Sequence, residues 1–396
     1  MSNQHTKKKM SELPDFVETS TLNYDGKDYT ILNLKPDSIP DDDFVNRIYR
    51  SAILSPDKQQ FFCVAPSKSI PTLPDTKLEI EVTEIVEGTM INLFWNGDKW
   101  EIATKKRVGA ENFFFKNTYG VEGELPKKTF RQMFLEALDV PDLSSIDFDK
   151  SFCYSFVLQH PCNHIVLLLQ APQLYLVSTY KLVGLTYDYI SPRLHPEYDK
   201  FVARSIKVPR HYDFDSKSKA LTDDCFISQS NKYTFEDIQL HNLESIVANP
   251  ENSHQIPGLM VIDLLSGLLR TKFMNPKYLE VKQLRGNHPN LHYHYLMLRK
   301  TNTVQEFLNN FPIYEKHFER FLQHFQEFKQ RVRGIYWEVY VKKTRVIHDV
   351  DKPHKFFVQK LHRDVFLPQH KENHKFYITE LEVQHLLDSE NVMVPI

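Results

Sequence analysis

The chain has only four cysteines, Cys63, Cys153, Cys162 and Cys225, in 396 residues, and no two form a CxxC pair. A zinc knuckle or a thioredoxin-like pair is thereby excluded. Cys153 and Cys162 fall on neighbouring apolar segments and read as small buried residues. No apolar run reaches 18 residues, so no spanning helix and no membrane partner are expected. The opening stretch, MSNQHTKKKMSELPD, has no apolar core of a signal peptide, and a cytoplasmic setting is expected. Charge of one sign is lacking too. The chain has 49 Lys+Arg and 51 Asp+Glu, a formal net charge of −2, so no global basic excess advertises nucleic acid. No HExxH or other compact ligand spacing appears among 18 histidines, and no metal site is read from the sequence. No internal repeat is visible.

What is present is enough apolar surface for a core: 41% hydrophobic and 13% aromatic residues. The length predicts two or three domains. Residues 1–20 read as a flexible polar tail, with Lys7, Lys8 and Lys9 solvated. Asp41, Asp42 and Asp43 precede FVNRIYRSAIL and read as the acidic first turn of a helix, near its positive end. From residue 78 the pattern turns to strands. WNGDKW places Asn-Gly between alternating apolar runs, which predicts a hairpin of strands at 89–95 and 99–104. KKTFRQMFLEALDV predicts an amphipathic helix ending near Pro141. SFCYSFVLQHP and HIVLLLQ predict a strand pair around a Pro-Cys-Asn turn, and LYLVSTYKLVG a further strand. TFEDIQLHNLESIV reads as a helix with Thr234 as cap and Asp237 in its first turn. PGLMVIDLLSGLLRTKFM predicts two strands bent at Ser-Gly, and PKYLEVKQLRGN a short helix.

After about residue 290 the period becomes helical, with a break at Pro312. Phe318, Phe321, Phe325 and Phe328 make one apolar stripe, which reads as helix packing. Eleven of the histidines follow residue 285. His292, His294, His354, His362, His370 and His374 read as structural or surface residues. His160 and His164 flank a turn and are weak candidates to face a cleft.

Several of these pieces, taken in order, resemble one superfamily, the covalent nucleotidyltransferases that include RNA ligases, DNA ligases and capping enzymes. The likeness is to phage-type RNA ligases and to uncharacterised giant-virus (mimivirus-like) relatives, and covers roughly 80–290. The resemblance implies a motif Lys-x-Asp/Glu-Gly, matched by EIVEGTMINLF, where Glu87 and Gly88 fit and Ile85 holds the nucleophile position. A basic residue one strand later is matched by Lys105. SFVLQHPCNHIV resembles the next motif, with Val157 at the glutamate position and Pro161, Asn163, Ile165 and Val166 in frame. PGLMVID resembles the Glu-Gly motif, with Pro257 in the glutamate slot. TKFMNPKYLEV resembles the two-lysine motif, with Lys272 retained and Met274 at the second place.

The resemblance implies an α+β fold: a nucleotidyltransferase (RNA ligase/ATP-grasp-like) mixed antiparallel sheet domain at 21–290, then a mainly helical C-terminal domain at 291–396. It also implies ATP and Mg²⁺ if the chain is active. The chemistry argues against activity. A phosphoramidate needs an amine, which isoleucine lacks; valine and proline hold no metal; methionine neutralises no phosphoryl charge. Glu87, Gly88, Lys105 and Lys272 remain as nucleotide-binding candidates. Three readings stay open. One is a catalytically degenerate RNA ligase-like protein that binds nucleic acid, nucleotide or a partner protein. Another is an active ligase or nucleotidyltransferase with displaced residues, drawn from the charged loop Lys207, Arg210, Asp213, Asp215, Lys217 and Lys219. The third is an interaction protein acting through its helical end, where Arg331, Arg333, Lys342, Lys343 and Arg345 are available to RNA phosphates. The last 111 residues have 16 Lys+Arg and 13 Asp+Glu, a small excess.

Overall fold

The computed structural model describes residues 13–35, 45–71, 79–114, 127–212, 233–234 and 243–390. Asp41–Asp43, Lys7–Lys9, Cys225, Asp237, Asp213, Asp215, Lys217 and Lys219 lie outside them. The chain divides into two compact units, one running to Phe114 and from Leu125 to Gln283, the other taking Leu284 onward.

The first unit contains three antiparallel sheets. Strands β1 (Val17–Tyr24), β2 (Lys27–Leu34), β3 (Ala52–Leu54) and β4 (Phe61–Cys63) pair in that order. Six further strands are β6 (Thr89–Trp95), β7 (Trp100–Thr104), β8 (Arg107–Val108), β9 (Phe152–Gln159), β10 (Gln173–Val183) and β11 (Thr186–Ile190), ordered β11-β10-β9-β6-β7-β8. The third sheet is β12-β5-β13-β14, from β5 (Glu79–Glu84), β12 (Tyr233–Thr234), β13 (Gly258–Asp263) and β14 (Arg270–Met274). The expected hairpin is β6–β7, with Trp95 opposite Trp100 and the Asn96 side chain accepting from the amides of Asp98 and Lys99.

The helix Phe130–Leu138 starts at a capping box between Thr129 and Gln132 and ends at Asp139 in the left-handed region. It buries Phe130, Met133, Phe134 and Leu138 against Ile91, Leu93, Tyr154, Phe156 and Leu158. The opposite side chains of this sheet, among them Phe94, Cys153 and Tyr180, pack with Tyr29, Ile31, Ile53 and Phe61 of the first sheet. Covered on both faces, β9 is buried along its whole length.

Four expectations are corrected. Residues 17–20 belong to β1 rather than to a tail. FVNRIYRSAIL gives only a 3₁₀ turn, Val45–Tyr49; Ser51 turns left-handed (φ 64°), and Ala52–Leu54 joins a sheet. HIVLLLQ forms no strand, and β9 pairs with Gln173–Val183 instead. Thr234 lies in β12, opposite Glu79, and the described helix there is Leu243–Val247.

The second unit is helical: Leu291–Thr301, Val304–Asn310, Glu315–Tyr336, Lys352–Lys360, Leu367–Glu372 and Glu380–Ser389. The break at Pro312 is a 3₁₀ turn, Pro312–Tyr314. Phe318, Phe321, Phe325 and Phe328 are all buried, as the stripe predicts. Among the described residues no helix is long and apolar enough to cross a membrane.

Candidate functional site

Ile85 follows β5, and its amide donates to Gly258 O at 2.9 Å. That bond sets Ile85 beside Gly258, the residue after Pro257. Met90 of β6 lies opposite Val157 of β9. Ile85, Val86, Met90, Val157, Met260 and Ile262 line one wall of a cavity of about 120 Å³ in the first unit. Thus Ile85 and Val157 meet at one cavity. Ligand pockets typically span roughly 300–1,000 Å³, so this space suits a small group rather than a whole nucleotide.

The polar end of the cavity comes from Glu81, Ser191, His211 and Arg270. Glu81 accepts from Tyr189 (3.0 Å) and Ser191 (2.9 Å). Burial pushes its carboxyl up, opposed by those two hydroxyls and by Arg270. Burial and the Arg193 guanidinium push His211 down to about 3. The imidazole is therefore neutral near pH 7, and its 3.6 Å approach to Glu81 is not an ion pair. Arg270 donates to Ser178 Oγ at 2.6 Å and to Gly267 O at 2.9 Å.

Glu87 is buried and engaged by the chain itself. Its Oε1 accepts from the amides of Val166 and Leu167, each at 2.9 Å. Its carbonyl accepts from Gln159 Nε2 at 2.8 Å. Burial and then the neighbouring Glu87 carboxylate push the Tyr278 hydroxyl up. Gly88 has φ 152°, and a Cβ there would lie 2.5 Å from Leu158 O. It is a close-approach glycine. His160 and His164 serve the same loop. His160 Nδ1 accepts from Cys162 N, so Nε2 carries the proton and donates to Glu136 at 3.0 Å. His164 Nδ1 accepts from Leu169 N. Neither lines the cavity described above.

Lys105 and Lys272, 167 positions apart, share two cationic neighbours, Arg50 and Lys68. Lys105 lies in the β7–β8 turn, and Lys272 lies opposite Met260. On β14, Arg270, Lys272 and Met274 alternate and so share a side of the strand. Burial lowers Lys105, with Arg50, Lys106 and Lys68 adding to the shift. Burial lowers Lys272 as well, followed by Lys282, Arg50 and Lys68. Burial and the charge of Arg270 lower Arg50. Arg50 and Lys68 thus act on both candidate lysines, Lys106 on Lys105 alone and Lys282 on Lys272 alone, and among the described residues the charges that act on the two are positive. Sequence reasoning missed Arg50, Lys68 and Lys282. No local signal marks them, because three separate chain segments supply them.

Of the charged loop only Lys207 and Arg210 are among the described residues. Lys207 lies over the Tyr175 ring, and the Arg210 amide donates to Glu84. Among the described residues no three His, Cys, Asp or Glu side chains are placed to hold a metal ion. Val157 and Pro257, where the resemblance puts carboxylates, offer no donor side chain. The residues present do not fit a divalent metal at these positions.

The site is thus a cationic cluster beside a small, largely apolar cavity, on an α+β unit of antiparallel sheets. No protein-family model matches the chain. Over 104 residues, 26% of this chain, it is 27% identical to an RNA ligase of Rhodothermus phage RM378; the match spans 23% of that relative's length. Among solved structures, a putative ATP-dependent DNA ligase from Aquifex aeolicus aligns with a TM-score of 0.37 and 12% identity, over 93% of this chain and 83% of that one. An archaeal ATP-dependent RNA ligase aligns with a TM-score of 0.36 and 9% identity, over 93% and 91% of the two chains.

Proposed function

We propose that this chain is an RNA ligase-like protein that binds the phosphates of nucleic acid or nucleotide without forming a covalent lysyl-nucleotide. The observation that carries the reading is that Arg50 and Lys68 act on both Lys105 and Lys272, and that Lys272 lies opposite Met260 of the cavity whose nucleophile position is Ile85. Positive charges acting on one lysine favour an anion beside it. Lysine and arginine are the residues that meet phosphate. Ile85 has no amine to attack a phosphorus atom, and no carboxylate replaces Val157 or Pro257. The likeness to a phage RNA ligase over a quarter of the chain supports the substrate class. In this reading residues 21–290 are the ligase-like domain, 291–396 the helical domain, and the kinship is with the phage and giant-virus branch, acting in the cytoplasm, that of the host if viral. ATP and Mg²⁺ act as cofactors only if a displaced lysine takes over.

The test is intact-mass spectrometry after incubation with ATP or GTP and Mg²⁺ or Mn²⁺, alongside binding of a labelled RNA. The expected result is no mass gain, with RNA affinity that falls in Lys105→Gln/Lys272→Gln. A gain of one nucleoside monophosphate would overturn the inactive reading, and a tryptic map would locate the lysine. RNA affinity unchanged in the double variant would remove the phosphate site.

A further inference from the structure

The helical unit contains a feature that the cationic cluster of the first unit does not use. Two of its segments, Trp337–Val341 and Leu361–Phe366, have π-helical hydrogen bonding. Such turns are rare, and they occur frequently at functional sites. Here they bring rings together. Tyr340 of one segment stacks on His362 of the other, with centroids 3.8 Å apart and planes 7° apart. The column continues to Phe366 at 5.3 Å and 15°, then to His370 at 4.9 Å and 18°. His362, Phe366 and His370 are four residues apart, one helical turn each. The Tyr336 hydroxyl, 3.3 Å from His362 Nδ1, orients that ring.

Rings in face contact lie roughly 3.5–4 Å apart. Centroids near 5 Å at small interplanar angles therefore require a lateral offset of roughly 3–4 Å. The rings form a staircase, and part of each face from His362 to His370 is left uncovered by the next ring of the column, with Phe376 at 6.4 Å from Phe366 and His374 at 5.6 Å from His370 as further ring neighbours. All four rings are half-buried. Cations neighbour the rings in sequence. Lys342 and Lys343 follow Tyr340, Arg363 follows His362, and Lys371 follows His370; all are exposed. Between Trp337 and Ile378 there are nine Lys and Arg against five Asp and Glu, in a chain whose net charge is −2. Two of those acids are occupied by arginine, Glu338 by Arg345 and Asp364 by Arg363. Burial holds the His362 imidazole below its usual range, so it stays neutral and presents an uncharged ring.

We propose that this ring staircase and its rim of cations is a second binding surface, specific for single-stranded nucleic acid, with bases against the uncovered ring faces and phosphates against Lys342, Lys343 and Lys371. Aromatic treads beside backbone cations are the recurring means of holding a single strand without reading its sequence. A duplex keeps its base faces stacked and cannot use the treads. An acidic protein would engage the cations and leave the rings idle. The inference stands apart from the phosphate site of the first unit.

The experiment uses the full chain in a Lys105→Gln/Lys272→Gln background, which keeps the two surfaces distinguishable. Two fluorescein-labelled probes are titrated by polarisation: a short oligouridylate, and an abasic oligomer with the same phosphates. Phe366→Leu/His370→Ala is expected to weaken the oligouridylate roughly fivefold or more and to leave the abasic oligomer unaffected. Lys342→Gln/Lys343→Gln/Lys371→Gln is expected to weaken both and to reduce the salt slope by roughly 0.7 for each phosphate no longer neutralised. Phe366 also packs on the core of this unit. His370→Ala alone, at the end of the column, is therefore the second variant, with the helical circular-dichroism signal confirming the fold. Unchanged oligouridylate affinity in a folded His370→Ala and double ring variant, or equal loss for both probes, would overturn the proposal. The staircase would then be helix packing or a seat for a protein.

Discussion

Replacing Glu87 separates a structural carboxylate from one that waits for a ligand. Glu87 Oε1 accepts from two backbone amides, and one of them, on Val166, belongs to a residue only 3% exposed. A hydrogen bond to a charged group contributes about 1.5–3 kcal/mol net, and a buried donor left unpaired costs about 1–3 kcal/mol. Glu87→Ala removes the acceptor for both amides at once, so a loss of about 3–5 kcal/mol is expected. That is a large part of the roughly 5–15 kcal/mol that holds a domain. Glu87→Gln keeps an oxygen in place and gives up only the charge, for about 1–2 kcal/mol. Urea denaturation followed by tryptophan fluorescence reads the loss. A Trp337→Phe background leaves Trp95 and Trp100, both in the first unit, as reporters. Amide exchange of Val166 and Leu167 should accelerate in Glu87→Ala and stay close to wild type in Glu87→Gln. If both amides stay protected in Glu87→Ala and stability changes by less than about 1 kcal/mol, the carboxylate does not hold the loop. It would then be free for a ribose or another ligand.

Three further outcomes are expected. Gly258 has φ 141°, and a Cβ would lie 2.0 Å from Phe273 O, so Gly258→Ala should cost about 3 kcal/mol or more in urea; Gly26→Ala, with nothing within 4 Å, should cost only about 1 kcal/mol. Burial holds both His292 and His294 at about 4, with His324 and Arg285 respectively as the next cause. Their folded values lie below the unfolded 6.5, so the unfolded chain takes up the proton first: stability is complete above about pH 6.5 and falls towards pH 4, by roughly 3 kcal/mol per histidine at most. His292→Gln should flatten that acid limb in a urea-midpoint series across pH, and an unchanged limb would refute it. Thr129→Ala, which loses the capping box of Phe130–Leu138, should lower the first unit's stability by about 1 kcal/mol in the same urea assay.

The misread segments share a cause. HIVLLLQ has the composition of a strand, but two of its backbone donors are taken by the Glu87 side chain, 79 and 80 positions away. A backbone satisfied by a side chain needs no ladder. FVNRIYRSAIL has helical spacing, but the left-handed Ser51 ends the turn and the pairing Ile31–Ile53 draws the rest into a sheet. Both outcomes depend on partners distant in sequence, which local pattern does not contain.

The sequence by itself determined the elements whose cause is local. The Asn-Gly hairpin, the helix capped by Thr129, the bend at Ser-Gly and the phenylalanine stripe follow from turn chemistry, capping and periodicity. It also determined that Ile85, Val157, Pro257 and Met274 bring no amine or carboxylate, because a side chain without such a group lacks it in any fold. The tertiary structure decided the rest. It turned Glu87 inward to hold a loop, set Ile85 and Val157 at one small cavity, and brought Arg50 and Lys68 to act on both Lys105 and Lys272. Charge acts through space rather than along the chain, so a basic site inside a chain of net charge −2 becomes visible only once the sheets have formed.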